Sequence, residues 1–401
     1  MKLLKETFRI WWQKPADATQ RDTHRSITYL ELFYDLVYVA IIIQLSHLVA
    51  GHVSWNTIFS YLGVLSMILW AWFNGSLYYE LHGNKDIKTR VFTFLQMISL
   101  VGMGIFIPTA FGEGYQGFAL SYTIFLTILT FLWWRTGVHD VDHKPIAKPF
   151  VWLFCGTTLA YAISIFTPSD ISYFLWFFSV LISLSWTLLI IAHPNKKVKK
   201  EQLEAVKHIG PSFVERFDLL TIIILGEGII SLIEGSTYIH QWTMGNILNI
   251  IGSFLLLAGL WWIFFDFIGG KIPQKNDIAR ATWVGLHFPL LASLGLINTG
   301  ILNILEYAVD FSVSDKLLII LPLIIFLLSC VGLIRVIEIP NHMRSLYKKL
   351  NHFLYVPILC LLGIIFVPFE KTLTLCLTVG TLLFPIASTF LLWIRWKNEN
   401  E

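Results

Sequence analysis

Apolar residues along this chain gather into runs of roughly 20, separated by short polar stretches. A helix rising 1.5 Å per residue needs about 20 such residues to cross a hydrocarbon core of ~30 Å. Twelve runs qualify, near 28–50, 56–79, 91–112, 117–135, 148–167, 171–193, 213–233, 245–268, 282–302, 315–335, 350–368 and 372–394. In lipid each segment must satisfy its own backbone, which a helix does. The predicted fold class is an all-α polytopic membrane protein of about 12 transmembrane helices. The last two runs are joined by only a few residues around Pro368-Phe369-Glu370-Lys371.

Composition removes the soluble alternative. Hydrophobic residues make up 56% of the 401 and charged residues 14%, with a mean hydropathy of +0.67. A soluble chain of this length would form two or three domains and could not bury so much apolar surface. The net charge of +3 says less than its distribution. The amino terminus, every second connection and the carboxyl tail hold 27 of the 29 basic residues, among them Lys85, Lys88, Arg90, Lys196–Lys200, Lys271, Lys275, Arg280, Arg344, Lys348 and Lys349. The intervening connections carry Glu113, Asp170, Glu234, Glu306 and Asp310, with only Lys316 and Lys371 basic. By the positive-inside rule both termini are expected in the cytoplasm, with the chain in the cell membrane.

The first 27 residues are polar and basic (Lys2, Lys5, Arg9, Lys14, Arg21, Arg25) and lack the apolar core of a cleavable signal. Trp55, Trp134, Trp242, Trp393 and Trp396 fall at span ends, as interfacial anchors do. Cys155, Cys330, Cys360 and Cys376 lie in apolar runs without CxxC spacing and read as small buried hydrophobes.

An internal echo organises the spans. Glu31-Leu-Phe-Tyr-Asp35-Leu-Val returns 184 residues later as Glu215-Arg-Phe-Asp218-Leu-Leu-Thr, and both copies open an apolar run. Thr28-x-x-Glu31 and Ser212-x-x-Glu215 share the capping-box pattern. In the next span Trp70-Ala-Trp72-Phe73-Asn74 matches Trp262-Ile-Phe264-Phe265-Asp266, and the third spans open at Arg90 and Arg280. Two parallel six-helix repeats, 1–200 and 201–401, joined by the basic loop Lys196–His208, are the most economical plan.

Polar residues concentrate in spans 1–3 and 7–9: Glu31, Asp35, Gln44, His47, Asn74, Gln96, Glu215, Arg216, Asp218, Glu227, Asp266, His287 and Asn298. Those helices are expected to line the protein-facing region, and spans 4–6 and 10–12 to face lipid or pack as scaffold. An unpaired ionisable residue at mid-depth costs at least ~3 kcal/mol, so each is a functional candidate. Glu31 and Glu215 also fit a bland role, answering free amides at helix starts. Asp35 lies four residues beyond Glu31 on the same face, where two like charges repel unless a cation joins them or one stays protonated. Arg216 either sits at headgroup level or pairs with an acid of the other repeat.

Glu227 is the sharpest single residue, because it lies twelve residues beyond Glu215 and capping cannot explain it. Flanking Gly226 and Gly228 allow a neighbouring backbone to approach it, and such a carboxylate suits the binding or relay of protons or cations. Its alternative is a neutral acid that merely links helices. His287 precedes Pro289 and reads equally as a proton carrier or a helix-linking hydrogen bond. Gln44 and His47 fit interfacial placement, and Asn74 and Asp266 fit capping at span ends. His139-Asp140-Val-Asp142-His143 has metal-ligand spacing on a loop, but a second cluster is absent, so no metal or cofactor is expected. Walker, dinucleotide, HExxH and nucleophile-elbow motifs are also absent.

Arg25-Ser-Ile-Thr-Tyr-Leu-Glu31-Leu-Phe-Tyr-Asp35-Leu-Val-Tyr-Val resembles the opening motif of the bacterial low temperature requirement A family. Glu215-Arg-Phe-Asp-Leu-Leu-Thr-Ile-Ile-Ile-Leu-Gly-Glu227 resembles that family's second motif, and the His287 helix is similar to a later one. The resemblance covers nearly the whole chain and implies an integral membrane protein named for a cold-growth phenotype, without a settled activity. Asp218 departs from the small or apolar residue expected there. Phe33-Tyr-Asp35 and Phe217-Asp218 on paired first helices are also similar in plan to potassium channels with Phe-Ser-Asp repeats, without the middle serine.

The leading expectation is a channel- or transporter-like protein moving an ion or proton-coupled small solute. Asp35 and Glu227 are the central acids, and Glu31, Glu215, Arg216 and His287 the supporting network. The expected partners are the lipid bilayer and protons or small cations; an oligomer is compatible, and nucleic acid is not expected. The rivals are a membrane enzyme acting on a lipid through an acid and His287, and a stress-adaptation scaffold.

Overall fold

A computed structural model describes residues 13–20, 25–50, 53–192, 198–306 and 311–400. Lys2, Lys5, Arg9, Arg21, Lys196, Lys197 and Asp310 lie outside the described residues, as do the side chains of Trp393 and Trp396. The helices are α1 (Tyr29–Ser46), α2 (Trp55–His82), α3 (Ile87–Phe106), α4 (Tyr115–His139), α5 (Lys144–Ser164), α6 (Ser169–Ala192) and the short polar α7 (Lys200–Lys207). They continue as α8 (Pro211–Thr237), α9 (Met244–Phe267), α10 (Asp277–Glu306), α11 (Val313–Val336), α12 (Arg344–Phe353), α13 (Tyr355–Ile365) and α14 (Lys371–Asn400).

Among the described residues eleven helical stretches are long and apolar enough to cross a membrane, so the chain is a multi-pass membrane protein. The expected seventh span is α8, which falls outside that set and carries Glu215, Arg216, Asp218, Glu227 and Glu234. The expected eleventh run is divided at Leu354 into α12 and α13. The tight hairpin around Pro368 lies between α13 and α14 as expected.

Local chemistry sets several boundaries. Asp86 accepts the Thr89 amide at the start of α3, Thr243 accepts that of Asn246 at α9, and Ser312 with Asp315 forms a capping box on α11. Gly270, at φ 72°, turns the chain after α9.

The chain divides into two compact units, one comprising residues through Leu45 with Leu62–Phe213, the other Ser46–Tyr61 with Val214 onward. In the first unit α3 packs on α4, α4 on α5 and α5 on α6. Tyr122 stacks on Tyr161 at 4.4 Å, and the Trp176 indole N–H donates to Ser164 at 2.9 Å. In the second unit α10 packs on α11 and α9 on α14. A Cβ at Gly252 would lie 2.9 Å from Leu375, and one at Gly259 3.3 Å from Leu382, so glycines set the α9–α14 approach.

α11, expected to face lipid or pack as scaffold, packs, with 72% of its apolar length buried, because a helix apolar on all sides serves as core. The expectation for the cysteines changes. Only Cys330 is a buried cysteine, while Cys155, Cys360 and Cys376 are exposed beside apolar neighbours such as Trp152 and Leu359. Exposed Ile98, Ile105, Phe174, Ile233 and Leu391 form the apolar exterior a bilayer solvates. Trp55, Trp134 and Trp242 are also exposed, consistent with their placement at span ends.

The segment before α1 is fastened to the first unit through its backbone. The Gln13 amide donates to Asp86 at 2.9 Å, and its carbonyl accepts from Lys88 and from Arg135, the latter at 2.8 Å. Asp86, Lys88 and Arg135 are all buried. Further along, Asn84 donates to the Lys14 carbonyl, and Ala16 donates its amide to the His82 carbonyl at 3.2 Å.

Candidate functional site

The acids of the opening motif have well-defined partners. Glu31 and Thr28 form the expected capping box: Thr28 N and Oγ1 each donate to Glu31 Oε2 at 2.9 Å, and Glu31 N donates to Thr28 Oγ1 at 3.3 Å. Arg25 adds a cation, donating to Glu31 Oε1 at 2.5 Å and to Glu80 Oε2 at 2.9 Å. The attraction of Glu31 and Glu80 outweighs burial, which alone would lower it, and raises the proton affinity of the Arg25 guanidinium. Ser212 Oγ donates to Glu80 Oε1 at 2.8 Å. Two acids, one arginine and a serine thus form a bonded cluster in the first unit, and Glu80 was not singled out from the sequence.

The matching box on α8 does not form as expected. That helix begins at Pro211, already one residue before Ser212, and the Ser212 hydroxyl is engaged by Glu80. Glu215 is exposed, whereas Arg216 beside it is buried, as a helix of 3.6 residues per turn sends neighbours to different faces. Asp218 accepts the Gly270 amide at 2.7 Å, tying α8 to the turn after α9.

Asp35 is fully buried, and Trp72 Nε1 donates to its Oδ1 at 2.7 Å. One turn away, the Tyr34 and Tyr38 hydroxyls lie 3.1 Å apart. Gly75 makes room for this pair, since a Cβ there would sit 2.2 Å from the Tyr34 hydroxyl. Asp35 and Glu31 share a helix, but Trp72 on α2 engages the first and Arg25 the second.

Glu227, in the second unit, is 3% exposed. Ser231 Oγ donates to Oε1 at 3.0 Å, and the Asn298 amide of α10 donates to Oε2 and to the Ile224 carbonyl, the latter at 2.7 Å. Both donors to the carboxylate are neutral, and among the described residues no cation pairs with it. Gly228 admits α10: its Cβ would lie 2.4 Å from Asn298 Oδ1 and 2.7 Å from Leu257. Gly226 has no such role, for nothing lies within 4 Å of the position a Cβ would take. Tyr61 is buried, and its hydroxyl donates to the Ala292 carbonyl at 3.3 Å.

His287 is fully buried against Trp283, Phe217 and Phe264, with ring centroids 4.1, 4.7 and 6.2 Å away. Its Nδ1 lies 2.7 Å from the Trp283 carbonyl, which assigns the proton to Nδ1 and leaves Nε2 as a bare acceptor. Among the described residues Nε2 has no partner. The ring bonds within its own helix and meets Phe217 of α8 and Phe264 of α9 by aromatic packing.

In the loop with metal-ligand spacing Asp140 accepts the His143 amide at 2.9 Å, and the other side chains turn to separate partners. His143 is buried with Nε2 3.3 Å from Nε2 of His82; Asp142 pairs with Lys199 at 2.6 Å, and His139 is exposed. Among the described residues no group of three or more His, Cys, Asp or Glu is placed to hold a metal. Asn74 donates to the Trp70 carbonyl at 2.8 Å inside α2, so it is a buried helix-interior residue rather than an end cap.

Comparison with known proteins covers almost all of this framework. The family described as bacterial low temperature requirement A protein (LtrA) matches residues 26–393. Uncharacterized protein RA0937 of Rhizobium meliloti (strain 1021) is similar, at 24% identity over 247 residues, 59% of this chain and 58% of the relative. The match thus spans somewhat more than half the length of that relative.

Proposed function

The chain belongs to the bacterial low temperature requirement A family, and from that premise we propose a channel- or transporter-like protein that moves an ion or a proton-coupled small solute. Glu227 carries the reading: it is buried, clasped only by neutral Ser231 and Asn298, and has no cation among the described residues. An ionised carboxylate so placed is costly. It therefore holds a proton or a transported cation for part of its cycle and gives it up in another part. Asp35 is the second central acid, and Glu31, Glu215, Arg216 and His287 complete the polar network. With α8 crossing as a twelfth span, the protein resides in the cell membrane with both termini cytoplasmic, following its basic connections, and supports growth at low temperature.

Flux into liposomes holding the purified protein tests the reading, for protons, alkali cations and simple solutes in turn. Wild type is expected to conduct at least one of them and Glu227→Gln to lose it while remaining folded. Silence of the wild type toward all of them, with Glu227→Gln indistinguishable from it, sinks the proposal.

A further inference from the structure

Two adjoining hollows open at the basic end of the second unit. The first, of about 760 Å³, is lined by Lys271, Arg335 and Arg344, with Glu338 as its carboxylate. The second, of about 400 Å³, has apolar walls from Trp262, Phe267, Leu346, Leu350, Ile386 and Phe390, and Asp266 also reaches it. Met343 and Tyr347 line both, so the two lie side by side.

The surrounding structure is built rather than incidental. Gln274 Nε2 donates to the Arg335 and Ile337 carbonyls at 3.1 and 3.3 Å, and Pro273 bridges Ile337. The Arg335 guanidinium is aimed by a 2.7 Å bond to the Tyr355 hydroxyl. The shared wall, α12, buries Leu346, Tyr347 and Leu350 and exposes Arg344, Lys348, Lys349 and His352. That division is the pattern of a helix lying in a membrane interface.

We infer that these hollows form a binding site for a phospholipid with an anionic headgroup. The phosphate is held among Lys271, Arg335 and Arg344, and an acyl chain lies along the Trp262–Phe390 wall. Three cations against one carboxylate in the polar hollow favour net negative charge over a zwitterion. The apolar hollow alongside favours a lipid over a free phosphate, because a soluble anion leaves that wall uncovered. The site is independent of Glu227 and of any flux.

Native mass spectrometry of the full chain in detergent, titrated with phosphatidylglycerol or phosphatidylcholine, tests the inference. Phosphatidylglycerol is expected to bind at least roughly tenfold more tightly, and each lost cation to weaken it about fivefold. Arg344→Gln then gives about fivefold, and the triple variant Lys271→Gln/Arg335→Gln/Arg344→Gln on the order of 100-fold. Lys348→Gln/Lys349→Gln is expected to change it by less than about twofold, since those side chains line neither hollow. Arg344 is exposed, so its single variant decides the matter if the triple one fails to fold. Equal binding of the two lipids overturns the inference. So does a Lys348/Lys349 variant as impaired as the triple one, or displacement of the lipid by millimolar inorganic phosphate.

Discussion

The acids of the first unit and the acid of the second are buried to similar degrees and stabilised by different means. Glu31 meets Arg25 and a capping threonine, and Asp35 takes an indole N–H. Glu227 meets only a hydroxyl and an amide. In the register that aligns Glu31 with Glu215, Asp35 falls on Leu219; in the register that aligns Trp70 with Trp262, Trp72 falls on Phe264. At those offsets both members of the polar pair meet apolar residues. Glu227 in turn falls on Ile43. Occurrence of both polar members together has a physical reason: removing one member of a buried hydrogen bond orphans the other, whereas replacing both is nearly neutral.

The contrast breaks most decisively at Glu227. Glu227→Gln is expected to lower flux on the order of 100-fold in liposomes, while its unfolding midpoint in detergent stays near wild type, because the glutamine oxygen still accepts from Asn298 and its amide N–H can donate to the Ser231 hydroxyl. A comparable drop in stability would instead make Glu227 a structural residue like Glu31. Next in size is Arg25→Gln, which leaves Glu31 and Glu80 facing each other and should cost about 2–3 kcal/mol, moderated by the partial exposure of the arginine. Denaturant titration measures it, and a loss below about 0.5 kcal/mol would show that the cluster is solvent-screened.

The two glycines beside Glu227 should separate in sign. Gly228→Ala forces a methyl group onto Asn298 and Leu257 and should cost about 1–3 kcal/mol. Gly226→Ala meets open space and should stabilise α8 by up to about 1 kcal/mol through helix propensity. A double-mutant cycle on Asp35→Leu and Trp72→Phe should return a coupling of about 1 kcal/mol, the value of a buried hydrogen bond. Thr28→Ala should cost about 1 kcal/mol as a lost cap.

The smallest effect is set by pH. Burial works to raise the proton affinity of Asp86, but hydrogen bonds from Thr89 and Gln13 and the charge of Lys88 prevail, and its carboxyl sits below the usual range. A lowered value in the folded state means that its contribution is complete above the unfolded value of about 4 and is lost as pH falls through the folded value. Hydrogen-exchange protection of the Gln13 amide should therefore hold down to about pH 4 and decline below it. Unchanged protection under stronger acid would remove Asp86 from that role.

The spans were readable because a bilayer dictates the length of each apolar run, and eleven of them can be recognised from length and composition alone. The caps were half readable. Thr28 and Glu31 satisfy each other within one turn, which sequence displays; Ser212 turns to Glu80, 132 residues away, which sequence does not. Glu80 itself, near the end of α2, looks like an ordinary end charge until Arg25 and Ser212 converge on it. Asn298 was visible as a polar residue in a span, but only helix packing reveals that its amide joins Ile224 to Glu227.

The clasp around Gln13 bears on how this sequence can vary. Its contacts with Asp86, Lys88 and Arg135 are made by the peptide amide and carbonyl of residue 13, not by its side chain. Those three contacts ask of residue 13 a peptide amide and a carbonyl, so proline, which has no amide, cannot make the bond to Asp86. Drift at position 13 and constancy at 86, 88 and 135 are therefore compatible outcomes of one interaction. The trace that this peptide clasp leaves at position 13 among related chains would be a missing proline.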